Sequence, residues 1–203
     1  MNGGIEIVSA PFGGILIKTA SGNLAVNGGG TPDEMDEFYL SGDRPPTAIV
    51  LTTEHMHRSR GVGEFAGRHG IPLVGSLIAL AHLHLHTPER WEVLPPREIA
   101  VGGIMLDIFF IRYDSLDPFA LTVTVNGETV GIVPDGRLSA KDADALAKLR
   151  NCHKLFLANK LDCPPEMPRM LYLRYRGNYN TSGELAELFR DYKGELVIDP
   201  NCR

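Results

Sequence analysis

The sequence predicts a layered α/β protein, with two β-sheets packed face to face and helices outside. Three observations point there. Short β-like runs alternate with helical stretches along the whole chain. The pattern falls into two similarly built halves, each a β-meander followed by alternating helices and strands. The runs TAIVLT at Thr47 to Thr52 and KLFLA at Lys154 to Ala158 read as buried strands.

In the first half, Ile5 to Ser9, Gly14 to Thr19 and Asn23 to Val26 are short β-like runs split by Gly-rich turns, and Gly28-Gly29-Gly30 closes the third. That glycine run lacks G-x-G-x-x-G spacing, so it reads as a turn and not as a nucleotide cradle. A polar segment precedes the strand Thr47 to Thr52. Gly61 to Arg68 looks helical, with Gly70 as its stop and Pro72 beyond. Pro72 to Gly75 is a short strand. Ser76 can cap a helix to about His86, ended by Thr87-Pro88.

In the second half, Ile104 to Arg112 and Ala120 to Val125 are strands. Asn126-Gly127 is a type I′ hairpin signal joining Val125 to the strand Thr129 to Val133. Ser139 caps a helix to about Arg150, and Lys154 to Ala158 follows as a strand. Met170 to Tyr175 reads as a further strand, because Tyr172, Arg174 and their neighbours alternate as a half-buried edge would. Thr181 and Glu184 form a capping box for the last helix, which ends near Gly194, and Glu195 to Ile198 is the final strand. The total is about ten strands and four helices.

The 203 residues, 43% hydrophobic and 22% charged, suit one globular domain over 1–203 with its own core. A net charge of −5 argues against general nucleic-acid binding through bulk charge, though it leaves room for a local basic cleft. The N-terminus MNGGIEIVSA has no signal-peptide order, and no stretch reaches the roughly 18 apolar residues of a membrane span. No membrane partner is expected. Cys152, Cys163 and Cys202, an odd number without CxxC, point to reduced thiols in a cytoplasmic protein.

The informative stretch is Ala48-Ile-Val-Leu-Thr-Thr-Glu-His-Met-His-Arg-Ser-Arg-Gly-Val-Gly. It resembles the metallo-β-lactamase superfamily signature, a hydrophobic strand running into T-H-x-H-x-D-H and a Gly-led helix. Further segments match in order: Arg68-His-Gly-Ile-Pro-Leu-Val, Ile111-Arg-Tyr-Asp-Ser-Leu-Asp-Pro-Phe, Val130-Gly-Ile-Val-Pro-Asp-Gly, Leu157-Ala-Asn-Lys and Gly177-Asn-Tyr-Asn. The resemblance therefore spans almost the whole chain and is nearest the small nuclease and phosphodiesterase branch. It implies an αββα four-layer sandwich of two mixed sheets with outer helices, and a site where two zinc ions polarise a water.

Residue by residue, the superfamily's first histidine falls on Thr53, the second on His55, the aspartate on His57 and the third histidine on Arg58. The later histidine falls on Tyr113, the bridging aspartate on Asp135 and the last histidine on Asn178. Only His55 and Asp135 match. A slip of two residues pairs His55 and His57 as the first histidines but puts Ser59 and Arg60 at the next two positions, and it does not restore the site. Arg58 cannot ligate a metal and would repel one.

The expectation is a non-catalytic protein, a pseudoenzyme with no resident cofactor. Its cleft of His55, His57, Arg58, Tyr113, Asp135, Lys160 and Asn178 would bind a small anionic ligand or a protein partner. Arg58 would pair with Asp135 in place of the lost cation, and Arg60, Lys160, Arg174 and Arg176 would add positive charge. The alternative is a phosphodiesterase- or nuclease-like hydrolase holding one zinc or other divalent metal through His55, His57 and Asp135. A homo-oligomer, or a subunit paired with a catalytically complete relative, is a third reading. His82, His84 and His86 form a separate group. It reads as surface histidines at a helix C-terminus, or as a chance metal pair at His82 and His86.

Overall fold

The computed structural model describes residues 4–41, 44–83, 89–160 and 167–199. The described chain runs β1 Glu6–Ser9, β2 Ile15–Thr19, β3 Gly22–Val26, α1 Pro32–Tyr39, β4 Pro46–Leu51, α2 Met56–Ser59, α3 Val62–His69, β5 Leu73–Gly75, α4 Leu77–Ala81 and β6 Arg90–Glu92. It continues with β7 Arg97–Val101, β8 Ile104–Phe110, β9 Phe119–Val125, β10 Glu128–Val133, α5 Ala143–Arg150, β11 Lys154–Leu157, α6 Arg169–Asn178, α7 Ser182–Leu188 and β12 Glu195–Ile198.

The strands form two mixed sheets of six, ordered β1-β2-β3-β4-β5-β6 and β12-β11-β10-β9-β8-β7. In the first, β1, β2 and β3 form an antiparallel meander, and β4, β5 and β6 add in parallel. The second has the same plan: β7 to β10 are antiparallel, then β11 and β12 are parallel. The two similar halves expected from the sequence are these two sheets.

Strand periodicity places the core. Successive strand residues point to opposite faces, so a strand covered on both sides must be apolar throughout. In β4, Ala48 and Val50 join the cluster between the sheets, where they meet Leu106, Leu121 and Ile132. Ile49 and Leu51 point outward and pack with Met35, Tyr39, Phe65 and Leu80 from α1, α3 and α4. On the far side, Val133, Leu155 and Leu157 lie under Leu146 and Leu149 of α5 and Leu185 of α7. These are the four layers of an αββα sandwich.

Several sequence expectations need correction. The polar segment after the third strand contains α1, which Thr31 caps reciprocally with Glu34 and which starts on Pro32, a residue suited to a first turn. Twelve strands and seven helices occur among the described residues, so the expected count was low. The strands β6 and β7 are short or carry many exposed residues, which weakens any alternating signal. Asp142, not Ser139, holds the N-cap position of α5, and Ser139 instead donates its hydroxyl to Asp142 Oδ2 at 2.7 Å.

Met170 to Tyr175 is not a strand but lies within α6. The helix follows Pro168, whose carbonyl accepts from Tyr172 N at 3.0 Å, and it buries none of its residues. Alternation there had no face to bury, so it carried no information on secondary structure. Ser76 does cap α4, which spans only Leu77–Ala81. His84, His86, Cys163 and Cys202 lie outside the described residues. Cys152 is a buried free thiol. Among the described residues, no helix is long and apolar enough to cross a membrane.

A buried polar clasp joins the ends of β3 and β4. Asn27, fully buried at φ 60, accepts from Thr52 N at 3.0 Å and donates to Thr52 Oγ1 at 2.9 Å. Its own carbonyl accepts from Tyr39 at 2.9 Å. Asn27→Ala leaves Thr52 unsatisfied in the core and loses a residue type that tolerates this backbone. The variant should lose about 2–4 kcal/mol of stability, read as a lower midpoint in urea denaturation.

Candidate functional site

The loops that follow β4, β10, β11 and β12 meet at one end of the sandwich, beyond the C-terminal ends of the parallel strands, where α/β sheets commonly bind ligands. A cleft of about 640 Å³ opens there. Phe12 and Gly13 wall it from the β1–β2 turn, His57 and Arg58 from α2, Lys160 from beyond β11, and Tyr175 and Tyr179 from the end of α6.

Arg58 and Asp135 form the centre. Arg58 Nη2 lies 2.7 Å from Asp135 Oδ1, with the side chains 12% and 2% exposed. The same guanidinium donates from Nη1 to Gly13 O at 2.8 Å and from Nη2 to Pro134 O at 3.4 Å. It thus ties the β1–β2 turn in the first sheet to the end of β10 in the second. Burial pushes the Asp135 carboxyl above the ordinary carboxylate range, and the adjacent Arg58 charge opposes that rise. Two glycines make room. At Gly13, with φ 80, a Cβ would stand 2.1 Å from Arg58 Nη1. At Gly29, one would stand 1.9 Å from the His57 carbonyl.

A ring cluster extends from this pair. His55 and His57 stack at 5.5 Å, His55 meets Tyr113 edge-on at 5.1 Å, and the Tyr113 and Tyr179 hydroxyls are 2.7 Å apart. His55 Nε2 is 2.9 Å from Asp114 O and 3.1 Å from Asp114 Oδ1. Loss of solvation at the cleft wall, then the Arg58 and His55 charges, push the His57 pKa down to about 4, so the ring is neutral at pH 7. His57 still keeps much of its surface in solvent, so screening leaves this shift little weight in stability. Tyr113 is shifted upward by burial and then by Asp135.

Glu54 clamps the loop that carries Tyr113 and Asp114. It accepts from Ser115 Oγ at 2.5 Å and from Leu116 N at 3.2 Å, while Thr53 Oγ1 donates to Ser115 Oγ at 3.1 Å. Burial raises the Glu54 pKa, but these hydrogen bonds outweigh it and leave the carboxyl below its usual range.

The sandwich carrying this cleft has many solved counterparts. The metallo-β-lactamase-fold protein YhfI from Bacillus subtilis superposes with a TM-score of 0.70 over 91% of this chain and 76% of that one, at 16% identity. A diphosphatase of the PhnP family gives 0.67 over 91% and 71%, at 14% identity. The short form of human tRNase Z gives 0.67 over 91% and 84%, at 12% identity. The chain has the metallo-β-lactamase fold. At these identities the likeness is one of fold. No protein-family model matches the sequence, and no curated protein matches it.

The two-zinc centre implied by the metallo-β-lactamase resemblance can be tested against the side chains. Among the described residues, no group of three or more His, Cys, Asp or Glu is placed to hold a metal ion. One oxygen of Asp135 is engaged by a guanidinium, and His55 Nε2 is turned to Asp114. A permanent cation against the carboxylate opposes a second cation there. These residues do not fit the metal pair.

The structure brings His55, His57, Arg58, Tyr113 and Asp135 into one cluster, but of these only His57 and Arg58, with Lys160, line the cleft, while His55, Tyr113 and Asp135 stand behind its wall. Asn178 does not line the cleft; Tyr179, one residue on at the helix end, does. The expected cluster of added cations is not assembled. Arg174 pairs with Asp114 at 3.3 Å, Arg176 with Glu184 at 3.0 Å, and Arg60 is exposed without lining the cleft. Sequence reasoning missed Glu54, Ser115 and Phe12. The TEH segment gave a signal for Glu54, a carboxylate beside the matched histidine, but its partners lie about sixty residues away.

Arg58→Met should cost about 3–5 kcal/mol by leaving Asp135 buried without its cation, and Arg58→Met combined with Asp135→Leu should recover most of that loss. Urea denaturation of both variants measures the difference. Histidine NMR titration should show His57 titrating near pH 4, well below an ordinary histidine. In Arg58→Met the His57 value should rise, because a neighbouring positive charge is gone.

Proposed function

We propose that this metallo-β-lactamase-fold protein works without a metal and binds a small anionic ligand in its cleft, with no hydrolytic chemistry of its own. The observation that carries this reading is the buried contact of Arg58 with Asp135 at 2.7 Å. Asp135 falls where the resemblance puts the metal-bridging aspartate, and a guanidinium supplies the positive charge there. An internal cation opposes the carboxylate charge at Oδ1, while Oδ2 stays buried with no hydrogen-bond partner, and a guanidinium creates neither a Lewis acid nor an activated water.

The cleft wall suits a small anion that has an apolar portion. Lys160 and the Arg58 edge bring positive charge to a wall that also holds the Asp199 carboxylate, neutral His57 and the Tyr179 hydroxyl provide hydrogen bonds, and Phe12 and Tyr175 provide apolar surface. Solved neighbours that are a diphosphatase and a tRNase accord with an anionic ligand at this end of the fold.

Elemental analysis of the purified full chain, before and after mild chelation, tests the reading. Zinc, iron and manganese well below stoichiometric levels are expected, with no phosphodiesterase activity when any of these metals is added back. About one metal per chain, lost in His55→Ala, together with hydrolysis lost in the same variant, would support the one-metal hydrolase instead.

A further inference from the structure

Two apolar faces border the cleft, and they carry opposite charge. The first is α6, ten residues with none buried. Met170, Leu171, Tyr172 and Leu173 are 79%, 45%, 42% and 53% exposed. The helix carries Arg169, Arg174 and Arg176 and no acid. Its C-terminal part contributes Tyr175 to the cleft wall. Arg174 pairs with Asp114, which holds His55, and exposed Leu116 and Met56 flank those two residues. Met170 and Leu173, three apart on the helix, share one side, and large apolar side chains exposed together in this way mark an interaction site.

The second face starts at Pro11 and Phe12, which also line the cleft. On their other side they line a hollow of about 390 Å³ with Glu34, Glu37, Phe38 and Ser41. Its acids come from α1, whose sequence PDEMDEFY has four acids and no base. Arg68 and His69 bind Asp33 and Asp36, away from the hollow's lining. The acids left at the hollow are Glu37 and Glu34; the Glu34 carboxyl is lowered by its bonds with Thr31 and, to a smaller extent, by the nearby charge of Arg60.

We propose that these faces are the two halves of one interface, in which α6 of one copy seats its Met170–Leu173 side in the Phe12–Phe38 hollow of a second copy, and the second copy does the same in return. A two-fold interface requires both complementary patches on one side of the same molecule. Here both border one cleft. The basic helix meets acids, its aliphatic side chains meet phenylalanine rings, and the hollow is large enough for a Met or Leu side chain. An anionic lipid surface would attract α6 but repel the acidic hollow beside it and a chain of net charge −5. The pairing does not depend on what the cleft binds.

Sedimentation velocity of the full chain across a concentration series tests it. A reversible dimer is expected. Met170→Asp with Leu173→Asp should give a monomer with an unchanged far-ultraviolet circular dichroism spectrum. Glu37→Lys alone should weaken dimerisation by about tenfold, and adding Arg169→Glu should restore part of it. A wild-type monomer at every concentration overturns the proposal, as does a dimer unaffected by both changes. Wild-type monomer that co-floats with phosphatidylserine vesicles would assign α6 to a lipid surface instead.

Discussion

A guanidinium and a carboxylate removed from water together must stay in register, because each is costly to bury alone. Arg58 and Asp135 meet that condition at 2.7 Å, and the elements that carry them inherit the constraint. Asp135 sits just after β10 in one sheet. Arg58 lies on a four-residue helix just after β4 in the other and also reaches back to the β1–β2 turn through Gly13 O. One side chain thus fixes three segments from both sheets. Replacing the pair by apolar groups need not reduce stability, so its consequence lies in position more than in net energy.

The surrounding backbone is shaped to admit this arrangement. Gly28 N donates to Arg58 O at 2.6 Å, and Gly29 lets the His57 carbonyl approach where any side chain would collide. The triple glycine after β3 is therefore a contact surface for α2. The Asn27–Thr52 clasp holds β3 and β4 level beneath it. Glu54 does the same for the 113–116 loop from the other side, which sets Tyr113 against His55. With the central charges facing one another, the cleft wall presents Lys160, Asp199, a neutral His57 and aromatic rings.

Legibility followed distance along the chain. The capping box of α7, the hairpin at Asn126-Gly127 and the glycine ends of α3 depend on neighbours within a few residues, and all could be read directly. The helix α6 could not, since it buries no residue and its alternating Leu, Tyr and Arg pattern reports no packing. The site was half legible. The resemblance to the superfamily signature, position by position, pointed to His55, His57, Arg58 and Asp135. The choice of Tyr179 over Asn178 required knowing how α6 ends against the cleft.

The sequence alone determined the two-halved strand pattern, and with it the layered sandwich, because strand and helix periods are local and two-sided burial demands uninterrupted apolar runs. It also determined that a permanent cation stands among the residues at the head of α2. Tertiary structure decided where that charge goes. Only folding places Arg58 against a carboxylate 77 positions away, while Arg174 and Arg176 are diverted to Asp114 and Glu184. The reason is physical: a buried charge is satisfied by whichever partner the packing brings within hydrogen-bond reach, and sequence spacing does not encode that proximity.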